Sequence, residues 1–471
     1  MDSNDKLEIN VTNYYINKIA AKIAARQTPP KALVITHGCQ MNGRDSEKLR
    51  GMLDAMGYEV TDDDVSEPDL VIFNTCCVRE NAENKLYGNL GSYKEQKRKN
   101  PEMKLVLCGC MMQQDIVVDK IMQSYNYVDV IFGTHNIYRF PELLHSNFVT
   151  NSNIVDIWKN AAEIVEDLPS IRQSPFKASV NIMYGCDNFC TFCIVPYVRG
   201  RERSRTPEDI LTEIRGQVAD GVTEITLLGQ NVDSYGKGLG LNTNFAQLLY
   251  KVAEIEGLHR IRFTSSHPKD ISDEVIHAMR DLDKVCKHLH LPFQAGSTRV
   301  LDAMNRGYTK EDYLSLISRI KAAIPQIAIT TDIMVGFPGE IEEDFEHTLD
   351  VVRKVRFAGA FTFLYSRRQG TAADTMPEQV PDDVMKQRFD RLLTEVNTIT
   401  REVAKEKQGM ILQVVPEAAG RDGILNGRTD DNSLVHFAGN IDLLGIPINV
   451  RITEARTFYL NGEIVNGHTM P

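Results

Sequence analysis

Hydrophobic and polar positions alternate in a repeated order from Lys31 to about residue 148. Short apolar runs of strand length are separated by stretches with helical periodicity, as in Arg44 to Met56 and Asn81 to Lys97. Strands that alternate with helices in this way predict an open, parallel α/β sheet. The predicted strands are Ala32 to Thr36, Leu70 to Phe73, Leu105 to Leu107 and Val128 to Phe132.

A second α/β region follows between residues 176 and 405. Strand-like runs with helical patterns between them form six βα units, which predict a partial (βα)6 barrel. The predicted strands are Ala178 to Tyr184, Glu224 to Leu228, Arg260 to Ser265, His288 to Leu291, Ile327 to Val335 and Ala360 to Tyr365.

Three further segments flank these two regions. Residues 1–30 combine a short helical pattern with Pro29-Pro30 and are expected to form an N-terminal extension, and the irregular residues 149–175 are expected to form a linker. After a predicted helix, residues 406–471 contain short β-rich runs broken by Gly and Asn, which predict a small all-β barrel. The predicted boundaries are therefore 1–30, 31–148, 149–175, 176–405 and 406–471.

Charge, hydropathy and cysteine content narrow the class of protein. The formal net charge of −11 argues against broad, sequence-independent binding of nucleic acid. Nine cysteines, an odd number in a chain without an export signal, favour metal or redox chemistry over a disulfide framework. Cys286 lies in a strand-like run and is expected in the core. No apolar run approaches the roughly 20 residues of a membrane span, so we expect a cytoplasmic protein without a membrane partner.

Cys186, Cys190 and Cys193, called the loop trio below, have CxxxCxxC spacing directly after the first barrel strand. Three thiolates on one tight loop can hold three irons of a [4Fe–4S] cluster, and the fourth iron is left open for S-adenosylmethionine. A structural zinc site is the alternative, but zinc normally takes four Cys or His ligands and no fourth lies nearby in sequence. The loop and its position in the barrel resemble the radical S-adenosylmethionine superfamily.

Polar or Gly-rich segments follow the later barrel strands and could grip a polar cofactor at the barrel mouth. In proteins of the superfamily that this region resembles, an aromatic residue beside the cofactor's adenine precedes the last cysteine. Taken alone, such a residue is more often part of a core or a turn. The candidate cofactor-binding residues are Phe192, Gly229, Gln230, Ser265, Gln294 and Gly336.

Cys39, Cys76 and Cys110, called the sheet trio below, each fall just after a predicted strand of the first region. The ends of parallel strands share one crevice, so these cysteines can converge on a second cluster with one free iron, which could carry sulfide. Buried hydrophobic cysteine is the alternative at each position. The residues themselves do not choose between Cys76 and Cys77, or between Cys108 and Cys110.

After its first 30 residues, the chain resembles the methylthiotransferases along nearly its whole length. The motifs THGCQMNGRDSE, NTCCVRENAENK and CGCMMQQ are similar to that family's N-terminal domain, and the resemblance selects the sheet trio as cluster ligands. The segments GCDNFCTFCIVPYVRGRERSRTPEDI and GQNVDSYG look like the branch that modifies tRNA, the tRNA-2-methylthio-dimethylallyladenosine synthases. The C-terminal segment resembles the small β-barrel called TRAM, usually an RNA-binding module. Cys77, where the family often has Ser or Ala, and the additional Cys108 depart from the pattern.

The resemblance implies that the hydrogen at carbon 2 of N6-isopentenyladenosine, beside the anticodon of tRNA, is replaced by a methylthio group. An unactivated ring C–H bond has no acidic proton, so a radical route is needed. The implied cofactors are two [4Fe–4S] clusters facing one cavity, two S-adenosylmethionine molecules, and sulfide or polysulfide on the auxiliary cluster. The implied partners are the tRNA anticodon stem-loop, an electron donor such as flavodoxin or ferredoxin, and an iron–sulfur carrier protein.

Four arginines alternate just after the loop trio: Arg199, Arg201, Arg203 and Arg205. An extended backbone would place all four on one face towards phosphate, and a solvated charged strand is the alternative. These arginines are the candidate RNA contacts.

Two kinds of protein compete with this interpretation. The nearest is a methylthiotransferase that acts on threonylcarbamoyladenosine in tRNA or on a ribosomal-protein aspartate. The other is a redox-sensing RNA-binding protein whose clusters report iron or oxygen without catalysis, and which would release no 5′-deoxyadenosine.

Overall fold

The computed structural model describes residues 3–61, 67–77, 80–160 and 164–465. Parts of the predicted extension, linker and terminal barrel (1–2, 161–163 and 466–471) lie outside these residues, as do positions 78–79 of the NTCCVRENAENK motif. The chain divides into two compact units. The first comprises Met1–Pro175, Ser179–Asp187 and Ile194–Arg205, and the second comprises Phe176–Ala178, Asn188–Cys193 and Thr206–Pro471.

The first unit is built on a parallel sheet, which has six strands within the described residues. The strands are β1 Lys31–His37, β2 Glu59–Thr61, β3 Leu70–Thr75, β4 Lys104–Gly109, β5 Val130–Phe132 and β6 Ile154–Asp156. They lie in the order β2-β1-β3-β4-β5-β6, and every neighbouring pair is parallel. This order confirms the predicted open, parallel sheet.

Helices cover both faces of this sheet, so its strands are apolar on both sides. Phe73 and Leu107 belong to one buried cluster, and Ile72 and Val106 belong to the other. The helices of this region are α1 Ser3–Ile23, α2 Gln40–Ala55, α3 Glu80–Lys99, α4 Asp115–Ser124 and α5 Phe140–Thr150.

Two predictions about the flanks of this region are wrong. Residues 1–30 are not a mere extension, because α1 packs Ile16, Ile19 and Ile23, which share one helical face, into the core of the first unit. The segment 149–175 is not only a linker, since it contains β6, which pairs with β5. A three-residue strand is too short to show a period in the sequence.

The second unit contains the predicted βα units. Two three-stranded sheets occur among the described residues, in the orders β11-β10-β7 and β12-β13-β14, and the pairs β10–β11, β12–β13 and β13–β14 are parallel. In chain order the strands after β6 are β7 Lys177–Asn181, β8 Met183–Tyr184, β9 Arg203–Ser204, β10 Glu224–Leu228, β11 Arg260–Phe263, β12 His288–His290, β13 Ala328–Val335 and β14 Gly359–Leu364. The helices are α6 Val195–Arg199, α7 Pro207–Ala219, α8 Phe245–Ala253, α9 Asp273–Asp281, α10 Thr298–Ala303, α11 Lys310–Ala323, α12 Glu342–Val355 and α13 Asp382–Lys405. Of these elements, β8, β9, α6 and residues 179–181 of β7 belong to the first unit.

The C-terminal segment folds as the predicted all-β barrel. Its strands are β15 Ile411–Ala419, β16 Ile424–Thr429, β17 Leu434–Ala438, β18 Ile448–Ala455 and β19 Leu460–Ile464. In the described part of the segment they close in the order β15-β16-β17-β19-β18 around a core that includes Val435, Phe437 and Val450.

Buried charges attach this terminal barrel to the amino ends of the strands in the second unit. Glu224, at the start of β10 and 2% exposed, accepts a hydrogen bond from Arg262 Nε at 3.0 Å. Arg262 Nη2 also donates to the carbonyl of Thr429 at 2.8 Å, and Arg260 Nη1 donates to that of Arg428 at 2.9 Å. The terminal barrel therefore contacts the strand ends opposite to those that carry the candidate cofactor-binding residues.

Replacing Glu224 by Ala should lower the free energy of unfolding by about 3–5 kcal/mol, because Arg262 and Arg260, 3.0 and 3.9 Å from the Glu224 carboxylate, would remain largely buried without that counter-charge. Denaturant titration followed by circular dichroism measures this change. Glu256→Ala, at an exposed position of the same unit, is the control and should change stability by less than about 0.5 kcal/mol. Equal stability of the two variants would contradict a structural role for the Glu224 network.

Candidate functional site

The sheet trio lies at the carboxyl ends of neighbouring strands. Cys39 follows β1 and directly precedes α2, Cys76 follows β3, and Cys110 follows β4. The strand register aligns the last residues of β1, β3 and β4. The prediction that these three positions share one edge of the sheet is therefore confirmed.

The two alternative cysteines differ in their surroundings. Cys108 is buried beside Val106 in the hydrophobic core, and burial raises the pKa of its thiol well above the usual range. Cys110 accepts a hydrogen bond from the Cys77 thiol and from the Arg199 guanidinium, which together lower the pKa of Cys110 to about 6. The chemistry favours Cys110 over Cys108 as a metal ligand, because the thiolate is the form that binds metal.

A buried amide pair connects the loops that carry Cys39 and Cys76. Asn42 Nδ2 donates to Asn74 Oδ1 at 2.9 Å and to the Thr75 carbonyl at 3.2 Å, and Asn74 Nδ2 donates back to the Asn42 carbonyl at 2.8 Å. The Cys39 thiol donates to Asn42 Oδ1 at 3.3 Å. This network holds the two loops together. No regular spacing links the two asparagines in the sequence, so the sequence alone did not predict their role.

Gly109 allows the chain to approach β3 closely just before Cys110. Its φ is +95°, and a Cβ at this position would lie 2.4 Å from the carbonyl oxygen of Thr75. Any other residue would therefore both strain the backbone and push Cys110 away from the strand edge.

Arg199 has an unexpected position in the first unit. Its side chain is 5% exposed, Nε donates to Cys110 Sγ at 3.1 Å, and Nη2 donates to Asp45 Oδ2 at 3.0 Å. Desolvation lowers the pKa of this guanidinium, but Cys110 and Asp45 outweigh it and the pKa of Arg199 is raised well above the usual range. Arg199 is thus a contact of the sheet trio and is closed to phosphate, which corrects its assignment as an RNA contact.

The predicted extended run of arginines is also wrong as a whole. Arg199 ends the helix α6, whereas Arg203 lies in the short strand β9. Arg205 is buried and donates from Nη1 to the Asn181 carbonyl at 2.8 Å, and Arg203 is half-buried. Only Arg201 among the four is exposed, and it lies 3.5 Å from Asp187. Alternation in sequence did not produce one face, because Arg199 ends a helix and Gly200, with a φ of +78°, breaks the extended backbone.

The first cysteine of the loop trio lies in the first unit. Gly185 precedes it with a φ of +76°, and a Cβ there would lie 2.0 Å from the Arg201 carbonyl oxygen. The Cys186 amide donates to the Gly200 carbonyl at 3.1 Å. Contacts with the segment 200–201 therefore hold the start of the loop.

The other two cysteines of the loop trio lie in the second unit. The Cys193 amide donates to the Cys190 carbonyl at 2.9 Å, which closes a tight turn around the half-buried Phe192. Arg306, which is buried, donates from Nη1 to Cys190 Sγ at 3.3 Å and from Nη2 to the Pro292 carbonyl at 2.9 Å. Arg306 follows α10 and matches no sequence motif, so its contact with Cys190 was not predicted.

The candidate cofactor-binding residues of the barrel follow successive strands, as expected. Gly229 and Gln230 follow β10, Ser265 follows β11, Gln294 follows β12, and Gly336 follows β13. Ser265 and Gln294 have φ values of +69° and +67°. Positive φ is uncommon for residues other than glycine and concentrates at functional sites. Their binding of S-adenosylmethionine stays a prediction.

Neither trio has the geometry of a site for a single metal ion. Among the described residues, no three His, Cys, Asp or Glu side chains converge at the spacing that one ion requires. In an iron–sulfur cluster each thiolate binds its own iron, so that convergence is not needed. Cys286, expected in the core, is buried there, and burial raises the pKa of its thiol to about 12.

Two family models match the chain. The model described as the Radical SAM superfamily matches residues 180–352, and the one described as Uncharacterized protein family UPF0004 matches residues 31–133. The first match includes the loop trio and the second includes the sheet trio.

Curated relatives match nearly the full length. A tRNA-2-methylthio-N(6)-dimethylallyladenosine synthase from Acetivibrio thermocellus is 56% identical over 91% of this chain and 90% of its own. Synthases of the same name from Clostridioides difficile and Clostridium beijerinckii are 56% and 52% identical, over 93% and 96% of this chain and 93% and 99% of their own. The chain belongs to the tRNA-2-methylthio-N(6)-dimethylallyladenosine synthase family.

Solved structures place the fold of this synthase family member among radical S-adenosylmethionine enzymes. The methyltransferase TsrM from Kitasatospora setae, with cobalamin and a [4Fe–4S] cluster bound, aligns with a TM-score of 0.54 at 13% identity, covering 85% of this chain and 77% of its own. At that identity the likeness shows the fold alone, and it agrees with the predicted fold class. None of the described helices has the length and hydropathy of a membrane-spanning segment.

Replacing Arg199 by Met should destabilise the protein by about 3–5 kcal/mol, because Asp45 would stay buried without its partner. Arg201→Met is the matched control, and loss of its exposed ion pair should cost less than about 1 kcal/mol. Chemical denaturation measures both changes. If Arg199→Met kept full stability but lost affinity for tRNA, Arg199 would be an RNA contact after all.

Proposed function

We propose that this chain converts N6-isopentenyladenosine beside the anticodon of tRNA to its 2-methylthio derivative. The observation that carries the proposal is the identity of 52–56% with synthases of that name over more than nine-tenths of the chain. The two cysteine trios support it, since inserting sulfur into an unactivated C–H bond needs both a radical source and a sulfur source.

Two [4Fe–4S] clusters and S-adenosylmethionine are the proposed cofactors. Residues 176–405 would hold one cluster through the loop trio, and residues 31–148 would hold the other, with sulfide or polysulfide, through the sheet trio. When bound, the reduced cluster of the loop trio supplies the electron that cleaves S-adenosylmethionine, and the other cluster supplies the sulfur. The donor sets fit this chemistry, because each trio offers three thiols and so leaves one iron for a further ligand.

The protein's own residues would position these groups and balance their charge. Arg199 and Arg306 donate to one cysteine in each trio, Cys110 and Cys190, and so offset the negative charge that a thiolate-bound cluster carries. The strand-end residues that follow β10 to β13 would grip the polar parts of S-adenosylmethionine. Residues 406–471 would bind the anticodon stem-loop.

The proposed partners follow from the reaction. The substrate is tRNA, the electron comes from a small donor such as flavodoxin or ferredoxin, and an iron–sulfur carrier protein delivers the clusters. We place this chemistry in the cytoplasm, where thiols stay reduced.

Anaerobic reconstitution with an isopentenylated anticodon stem-loop should yield eight irons per chain and a 2-methylthio nucleoside. Iron assay and mass spectrometry of the digested RNA measure these two outcomes. A chain that modifies threonylcarbamoyladenosine or a ribosomal peptide and leaves the isopentenylated stem-loop unchanged would refute the substrate. No release of 5′-deoxyadenosine would indicate a non-catalytic redox sensor.

Alanine variants of the two trios should fail in different ways. Cys190→Ala should abolish 5′-deoxyadenosine formation, whereas Cys76→Ala should remove sulfur insertion and leave some S-adenosylmethionine cleavage. Liquid chromatography of the small products and mass spectrometry of the RNA separate these effects. Cys77→Ala is the matched control and should retain methylthiolation. If Cys76→Ala kept normal methylthiolation and Cys77→Ala lost it, the cluster ligand would be Cys77 and not Cys76.

A further inference from the structure

The sheet β12-β13-β14 exposes two large aromatic side chains on one face. Phe361 is 62% exposed and Phe363 is 46% exposed, and they alternate along β14. The register pairs Phe361 with Asp332 and Phe363 with Met334, so these four residues share a face. Ile333, which points to the opposite face, is fully buried. One side of this sheet is therefore packed, and the side with the phenylalanines is open.

Polar groups lie beside the Phe361 ring. His290 Nε2 is 3.4 Å from Asp332 Oδ1, and His290 Nδ1 is 3.0 Å from Thr330 Oγ1. The His290 ring meets the Phe361 ring edge to face, with 5.8 Å between their centroids. The open face thus joins an aromatic surface to a hydrogen-bonding edge, which suits a flat heterocycle that has both a π face and polar atoms.

The open face lies next to the proposed contacts of S-adenosylmethionine, where the reacting base must also bind. Gln294 and Gly336, two of the proposed contacts of S-adenosylmethionine, lie at the carboxyl end of the same sheet. Gln294 also forms a backbone β-bridge with Ile333. The carboxyl ends of barrel strands are where such folds bring reacting groups together.

The negative charge of this face favours the base of an RNA over its phosphate groups. The Asp332 carboxylate would repel phosphate, but it can accept a hydrogen bond from an exocyclic N–H. An N6-isopentenylated adenine keeps one N–H at N6 and adds a branched apolar group, which matches a carboxylate beside exposed phenylalanines.

We propose that Phe361 and Phe363, with Asp332 and His290, form the site that receives the isopentenylated adenine of the substrate. This assignment rests on the proposed function. The phenylalanines contact the base and its apolar substituent, and Asp332 accepts the N6 hydrogen. These residues set the preference for isopentenylated over unmodified adenosine.

The test uses the full chain, reconstituted anaerobically, and two labelled anticodon stem-loops that differ only in the N6 isopentenyl group. Fluorescence anisotropy measures the ratio of the two Kd values for wild type, Phe361→Ala, Phe361→Tyr and the Phe361→Ala/Phe363→Ala double variant. Loss of apolar contact with the isopentenyl group should reduce this ratio about tenfold in the double variant. Phe361→Tyr keeps the ring and should retain most of the preference. Tyr250→Ala, at an exposed position on α8, should match wild type.

Two results would overturn the assignment. One is a ratio in the double variant within twofold of wild type, and the other is an equal loss of affinity for both stem-loops. Loss of 5′-deoxyadenosine release by the double variant without RNA, together with an unchanged ratio, would assign the face to the cofactor. Failure of the wild-type chain to make any 2-methylthio product would refute the proposed function instead, so the two failures are distinguishable.

Discussion

Backbone hydrogen bonds between β1, β3 and β4 are the constraint on which the sheet trio depends. They align the ends of strands that are far apart in sequence, so that Cys39, Cys76 and Cys110 reach one edge of the sheet. Neighbouring strands lie roughly 4.8 Å apart, and three adjacent strand ends therefore span only about 10 Å. The Asn42–Asn74 amides and the close approach at Gly109 keep this edge in place.

The same electrostatic interaction, between a buried arginine and a cysteine, occurs at both cysteine trios. A buried arginine donates to one thiol of each, Arg199 to Cys110 and Arg306 to Cys190. An arginine stays charged at any physiological pH, and its planar fork can bond a sulfur and a second acceptor at once. Here the second acceptors are Asp45 and the Pro292 carbonyl, and each bond orients the guanidinium towards its cysteine.

Periodicity and spacing predicted the parts of the chain that repeat a regular pattern. The four predicted strands of the first sheet, the six barrel strands and the terminal barrel are all found, and Cys39, Cys76 and Cys110 follow strands as predicted. Short or isolated features were missed: β6 has three residues, and Asn42 and Arg306 act through contacts that only the tertiary fold creates. Arg199 was named but given the wrong role, because the alternation of four arginines suggested one exposed face, whereas Cys110 and Asp45 compensate its charge in the interior.

The terminal barrel and the candidate cofactor-binding residues lie at opposite ends of the strands of the second unit, and the length of β13 sets the distance between them. β13 begins at Ala328, whose amide donates to the Lys287 carbonyl. The Lys287 amide in turn donates to Asp430 of the terminal barrel, so this end of β13 lies near that barrel. Gly336 follows β13 at the other end. Eight strand residues separate these levels, or more than 20 Å at about 3.3 Å per residue. A ligand the size of one nucleoside is therefore too short to contact both ends at once.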